Sequence, residues 1–432
     1  MSVELAGTVS PVFVLARVHD AIAANAHLQP GATAIVRGVT FAQPLRGGEV
    51  ADAQADVTLA GNGVASDVRG TTGVHVQVDA LPRLDPQVLF YSDDPEKIAA
   101  DGVLYRSPIA IDRTRPARTY VYHVSETPAR RLYLVLQPSG SATRMQILGA
   151  SAGPSADFGY TGHVSTLRYM QVRSVQESAI AALAAGAPYA IPLDDAAMNP
   201  GDLVAAIFDL QVLDGGPVTA SIVAASGGFD PLSLLAGTEL PSDTHGRRGE
   251  FDLTLIPPLA LAFTVGGPEP PPFLVGVPAF KNLRPGGRPL GGDYGVVRAV
   301  ELHVVNPTET PQSVFLYETP AGGTATTTIQ LGDAPPLSVA CVDPSQSARY
   351  LVYEIALAAN ETRTIRGEYM TDGTSSFPLA FGLTSTPPQA PPPTACGHTA
   401  PAPSPSPSAI PSASPIPSAS PSPSQVPLGA PG

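Results

Sequence analysis

Short apolar runs broken by Pro, Gly and Asn recur along the chain, and two sets of them share one order. Tyr120 to Val124, a turn at Thr127-Pro128, Leu132 to Leu136 and then Pro138-Ser139-Gly140 make the first set. Val300 to Val304, a turn at Thr310-Pro311, Val314 to Tyr317 and Pro320-Ala321-Gly322 make the second. Farther on, Asn199 to Val223 lies over Asn360 to Thr384 without a gap, pairing Pro217 with Pro378. Short apolar runs separated by turn residues predict strands rather than helices. The chain is therefore expected to be mainly β: tandem antiparallel β-sandwich domains, an N-terminal β unit and a disordered Pro/Ser-rich C-terminal tail.

The same pattern sets boundaries. Residues 1–82 form the N-terminal unit, 83–226 the first repeat, 227–250 a linker, 251–385 the second repeat and 386–432 the tail. In the first unit, Ser10 to Ala16 is expected as a strand, Leu28 to Gly31 and Gly61 to Gly63 as turns, and Arg69 to Gly73 as a loop; Val74 to Val78 alternates as a half-buried strand should. Asp94 to Gly102 carries the grammar of a short helix: an Asp cap, Pro95 in the first turn, Glu96 at the positive end and a terminal Gly. Residues 165–178 predict a longer helix followed by a strand, Leu203 to Leu213 and Val218 to Ala224 a strand pair, and Leu232 to Leu235 one helical turn. In the second repeat, Ile355 to Leu357, Thr364 to Met370 and Phe377 to Leu383 predict strands, with a turn at Asn360. The tail cannot bury enough apolar area to offset its ordering entropy, so extended polyproline II is expected there.

Composition sharpens this picture. A chain of 432 residues needs two to three cores, and 49 Pro with 41 Gly argue against a helical protein. A net charge of −13 repels phosphate backbones and anionic lipid, so neither nucleic acid nor a membrane surface is an expected partner. No run of about 18 apolar residues exists to span a bilayer as a helix. Ser10 to Ala16 follows Glu4 without a basic region, which does not fit a signal peptide. That leaves a removed export signal, a misplaced start codon or a cytosolic protein.

Candidate chemistry is sparse. Cys341 and Cys396 are too few for a disulfide scaffold; a single bridge in an oxidising compartment and two free thiols both remain open. Asp93, Asp94 and Glu96 could form a calcium loop, but the spacing of oxygens that calcium requires is missing and capping is preferred. His123 and His303 occupy matching places in the repeats and are expected to be hydrogen-bonded structural residues, since ligands come in clusters. Asp243, His245 and Glu250 are expected on a solvated loop, and Asp194-Asp195 in a turn. Asn360-Glu361-Thr362 matches a glycosylation sequon, a match expected by chance. Tyr105, Tyr120, Tyr122, Tyr133, Tyr160, Tyr169 and Tyr294 could stack on sugar rings, yet Trp is absent and strand packing is preferred. No nucleophile elbow, phosphate loop or zinc helix occurs. No catalytic residue, metal or cofactor is expected.

Several stretches resemble a group of uncharacterised, mostly exported bacterial proteins, some of which occur alongside domains similar to the N-terminal domain of copper amine oxidase. They are Phe90 to Glu96 with Gly102 to Arg106, His245 to Phe251, and Gly292 to Val296 leading into Val304 to Thr308. The resemblance implies an exported, β-rich surface protein and supplies no catalytic residue. A non-enzymatic surface or matrix protein, extracellular or at the cell surface, is the leading expectation, with a cell-surface glycan or protein as partner. A carbohydrate- or calcium-binding adhesion module and a hydrolase whose carboxylates converge only in the fold are the alternatives.

Overall fold

The computed structural model describes residues 1–26, 33–61, 67–194, 196–244, 247–343 and 348–391. The chain opens with strand β1 (Ser2–Ala6) and helix α1 (Pro11–Asn25), where a strand was expected. The Ser10 hydroxyl accepts the Phe13 N–H at 3.3 Å and Pro11 fills the first turn. Phe13, Val14, Val18 and Ile22 then fall on one buried face. That stripe extends past Ala16, so the short run Ser10 to Ala16 taken alone hides its helical period. Strands β2 (Thr33–Arg37), β3 (Val50–Ala60) and β4 (Val68–Asp79) follow. Val74, Val76 and Val78 are buried as the alternation predicts. Arg69 to Gly73, expected as a loop, pairs instead with Gln54 to Thr58. This outer half of the hairpin is largely exposed, so its side chains carry no burial signature. β1 runs parallel to β4, while Leu5 and Ala6 pair with Ala179 and Ser178 on its other side. The N-terminal unit thus contains a helix as well as strands and extends the first sandwich's sheet.

The first sandwich continues with β5 (Val88–Asp93), β6 (Lys97–Ile98), β7 (Gly102–Arg106), β8 (Ala117–Ser125), β9 (Arg130–Pro138) and β10 (Thr143–Ser155). Helix α2 (Phe158–Val175), β11 (Ser178–Leu183), β12 (Tyr189–Pro192), β13 (Leu203–Gly215), β14 (Val218–Ser226) and β15 (Arg247–Asp252) complete it. One sheet runs β15-β5-β8-β13-β10-β11-β1-β4-β3-β2, with β6 beside β8; the facing sheet runs β12-β9-β14-β7. The helix expected over 94–102 is absent. Asp94 Oδ1 accepts the N–H of Asp243 at 2.8 Å instead of capping its own segment, and Lys97-Ile98 pairs parallel with Val124-Ser125. The linker is also part of the fold, since β15 lies antiparallel to β5 and closes one edge of the sheet. Pro231–Ala236 forms the single expected helical turn as a 3-10 helix.

Close approach governs the centre of this sheet. At Gly149 on β10, an added Cβ would stand 2.3 Å from Phe208 Cδ1 and 2.5 Å from the Ile207 carbonyl oxygen. Gly149→Ala is expected to lower stability by about 1–3 kcal/mol through overpacking. An unchanged denaturation midpoint would show that β10 and β13 part without cost.

The second sandwich is built from β16 (Leu259–Thr264), β17 (Phe273–Val275), β18 (Arg298–Val305), β19 (Gln312–Pro320) and β20 (Ala325–Leu331), then β21 (Leu337–Val342), β22 (Tyr350–Leu357), β23 (Thr362–Thr371) and β24 (Leu379–Thr384). Its sheets run β16-β18-β23-β20-β21 and β17-β24-β19-β22. Strand for strand this is the order β5-β8-β13-β10-β11 and β7-β14-β9-β12 of the first sandwich. Even the parallel pair recurs, β16 on β18 as β5 on β8. The ungapped match of 199–223 to 360–384 sets β13 on β23 and β14 on β24. Leu302, Val304, Leu316, Ile329, Phe381 and Leu383 centre the second core. Full burial of such a side chain contributes about 1.5–3 kcal/mol.

The two copies differ chiefly at one connection. β20 reaches β21 through residues 332–336, whereas α2 occupies the matching place between β10 and β11. Sequence periodicity places that helix at 165–178, but it begins at Phe158 and stops at Val175. Asp157 caps it by accepting the Tyr160 N–H at 2.9 Å, and two glycines in its first turns conceal the start. After β24 the chain doubles back, and Gln389 pairs with Tyr350 on the free side of β22. The tail beyond Pro391 lies outside the described residues.

Candidate functional site at the junction of the two sandwiches

β13 is buried on both faces, and its alternation sorts its residues into two cores. Val204, Ala206, Phe208 and Leu210 face the first sandwich interior. Leu203, Ala205 and Ile207 face outward into a separate cluster with Tyr91, Tyr120, Tyr122, Tyr169, Met170, Tyr294 and Met370. α2 covers this outer face and also touches β20 and β23, so the helix fills the junction between the sandwiches.

A buried ionic network crosses the junction. Arg118 on β8 meets Asp209 on β13 in a two-pronged pair, Nε to Oδ1 at 2.7 Å and Nη2 to Oδ2 at 3.1 Å. Tyr169 donates to the same carboxylate at 2.8 Å and Arg173 at 3.0 Å, both from α2. Arg173 then reaches Glu368 on β23 with Nε and Nη2, at 3.0 and 2.9 Å. Burial alone would push Glu368 up, yet the Arg173 guanidinium holds it below the usual carboxylate range. Arg118 also donates to the Gly295 carbonyl at 3.2 Å. Each planar guanidinium grips a carboxylate through two parallel N–H bonds, Arg118 on Asp209 and Arg173 on Glu368, a fork that a lysine ammonium cannot form.

A separate polar cleft of about 270 Å3 is lined by Asp94, Ser242, Asp243, Arg248 and the 284–288 loop. Asp243 Oδ2 accepts the Glu96 N–H at 2.6 Å, complementing the Asp94 bond. Arg284 is committed to Glu250 at 2.9 Å and Glu239 at 2.9 Å, and Arg248 to the Leu104 and Leu240 carbonyls at 2.9 and 3.1 Å. Arg288, exposed, donates to the Thr244 carbonyl at 3.3 Å. Cations and carboxylates offset one another here, so the cleft suits a hydroxyl-rich polar ligand better than a phosphate.

The sequence candidates fall variously. Glu250, expected on a solvated loop, is fully buried on β15 and accepts the Tyr105 hydroxyl at 2.6 Å. The correction follows from β15 joining the sheet. His245 and Asp195 lie outside the described residues, and Asp194 is buried, accepting the Leu132 N–H at 2.9 Å. Asp93 sits buried beside Arg247 at 3.8 Å, pushed well above the carboxylate range by burial and by Glu96. Among the described residues, no group of three or more His, Cys, Asp and Glu is arranged to hold a metal ion. His123 is buried, with Nε2 2.8 Å from Ser92 Oγ and Nδ1 2.8 Å from the Pro95 carbonyl. His303 is exposed beside Thr364. Tyr105, Tyr120, Tyr122, Tyr169 and Tyr294 are buried, Tyr133 half-buried, and Tyr160 exposed. Cys341 lies on β21 and Cys396 outside the described residues.

One constellation carries no signal in the sequence. His163 on α2 stands with Nε2 2.9 Å from Ser338 Oγ on β21 and with Nδ1 4.0 Å from Asp372 Oδ2, just past β23. Ser338 and His163 are 175 positions apart and come from different sandwiches.

No protein-family model matches the chain, and no curated protein matches it. Solved structures give faint likenesses. Lac15 from a marine microbial metagenome is 13% identical over 79% of this chain and 76% of its own, with a TM-score of 0.14. The tandem CBM22-1–CBM22-2 domain of Xyn10C from Paenibacillus barcinonensis is 8% identical over 62% of this chain and 82% of its own, at 0.16. Tripeptidyl peptidase 2 is 10% identical over 84% of this chain but 29% of its own, at 0.18. Scores this low carry no functional argument.

Proposed function

We propose that the protein is an exported surface or matrix scaffold that presents two sandwiches as one rigid body. The observation that supports this most is the junction, where Arg118, Asp209, Arg173 and Glu368 tie both copies to α2 with buried, charge-assisted bonds. Duplicated sandwiches joined so firmly keep a fixed spacing between their outer surfaces, which suits display. The acidic balance of −13 and the Pro/Ser-rich composition after residue 386 fit an exterior location. The mixed-charge cleft beside Asp94 is the concave surface best suited to a polar partner such as a cell-surface glycan.

Fractionation of the source cells tests this reading. The protein is expected in the extracellular or envelope fraction, and its recovery in the cytosol alone ends the proposal.

A further inference from the structure

The His163 constellation goes beyond a scaffold. Asp372 is fixed on one side only: its Oδ1 accepts the Thr374 N–H at 3.0 Å, the Thr374 hydroxyl at 2.9 Å and the Ser375 hydroxyl at 3.1 Å. The loop holding it is pinned. Tyr294 donates to the Ser375 carbonyl at 2.7 Å, and any Cβ at Gly373 would stand 2.4 Å from the Tyr120 hydroxyl. Asp372 Oδ2 and His163 Nδ1 are both buried without a hydrogen-bond partner, and they face each other. A shift of about 1 Å would convert their 4.0 Å separation into a hydrogen bond and satisfy both atoms at once. Such bonds are often long before substrate binds.

The surroundings of Ser338 add donors. Ser338 pairs with Thr328 on β20, and Thr328 with Met370 on β23, so the three share the face that α2 covers. The Thr328 hydroxyl is buried with no partner, and so is that of Thr166, three residues beyond His163 on α2. Both are spare O–H donors close in the fold to a half-buried serine. A sheet built only for packing would leave no reason for two unpaired hydroxyls and an unpaired His–Asp couple in one place, because each costs stability.

We propose that Ser338, His163 and Asp372 form an acyl-transfer site in which Ser338 is the nucleophile, His163 the general base and Asp372 the group that orients it, acting on small carboxylic esters. Ser338 Oγ bonds to the ester carbon while its proton passes to His163 Nε2. The carbon–oxygen bond to the leaving alkoxide breaks, and His163 returns the proton to it, releasing the alcohol. Water then attacks the acyl-serine by the same route in reverse and frees the carboxylic acid. Thr328 donates to the oxyanion that develops on the carbonyl oxygen. The inference does not depend on where the protein resides.

The test uses the full chain with a fluorophosphonate probe and with p-nitrophenyl acetate, mapping adducts by mass spectrometry. Labelling at Ser338 is expected, abolished in Ser338→Ala and slowed at least about 100-fold in His163→Gln, with circular dichroism unchanged. Failure to label the folded chain at Ser338, or equal labelling with and without His163, overturns the proposal. Should His163→Gln not fold, alkylation of Ser338→Cys by iodoacetamide, read at position 338 against pH, decides instead. A midpoint near or below pH 7 supports activation by His163, whereas a midpoint near the ordinary thiol value of about 8.5 refutes it.

Discussion

Asp209→Ala is expected to destabilise the protein by about 3–5 kcal/mol, the cost of leaving buried charges without their partner. The carboxylate accepts from Arg118 through both oxygens and from Tyr169 and Arg173 through one. Arg118 and Arg173 are almost wholly buried, at 2% and 4% side-chain exposure, so water cannot replace the lost acceptor. Asp209→Asn should cost nearly as much, because an amide keeps the shape but not the charge. Since the network joins both sandwiches, unfolding of the variant is also expected to lose cooperativity and separate into two steps. Urea denaturation followed by fluorescence and circular dichroism measures both effects. A cost below about 1 kcal/mol would mean the guanidiniums find other acceptors, and the junction would then be a packing contact only.

Glu318→Gln is expected to stabilise the protein at alkaline pH. Glu318 is fully buried on β19; among the described residues its carboxylate accepts from the Thr327 hydroxyl alone, and its second oxygen has no hydrogen-bond partner. Burial pushes its carboxyl up to about 7, against an ordinary 4.5. Below about 4.5 both folded and unfolded chains carry the proton. Between 4.5 and 7 the folded chain keeps a proton that the unfolded chain has lost, so stability falls as pH rises through this window. Above it the fold carries a buried carboxylate, at a cost of up to about 3 kcal/mol. The amide retains the bond from Thr327 and cannot ionise. The gain is therefore expected to be about 1–3 kcal/mol at pH 8 and to vanish near pH 4.5. Glu177, also near 7 through burial, has the same sign, whereas His123, pushed down to about 4 by burial, loses stability as pH falls from 6.5. Only the difference between wild type and variant isolates Glu318. A difference that does not vary with pH would place the Glu318 carboxyl in its ordinary range.

The strand pattern of the repeats was legible because turns and apolar runs recur in the same order, and the matching sheets follow that order. Glu318 shows where pattern reading stops. Counting back from Pro320 as from Pro138, it occupies the place of the buried Leu136, yet a carboxylate interrupts the apolar run and so reads as an exposed position. Local grammar failed when a distant partner claimed the residue, as Asp243 claims Asp94. It also failed at α1, where a helical stripe begins with apolar residues dense enough to resemble a strand. The junction was invisible for a different reason. Arg118, Asp209, Arg173 and Glu368 are ordinary surface residue types, and only the insertion of α2 against both sheets brings them together. His163, Ser338 and Asp372 share that cause, since each lies on a different element and none sits in a recognisable motif.

The placement of β1 has a mechanical consequence. Its five residues each pair with β4 on one side, and two of them pair with Ser178 and Ala179 on the other. Tension drawn along this segment must rupture those ladders together, in shear, instead of unzipping them rung by rung. A body gripped there would resist pulling far more than one held by an outermost hairpin.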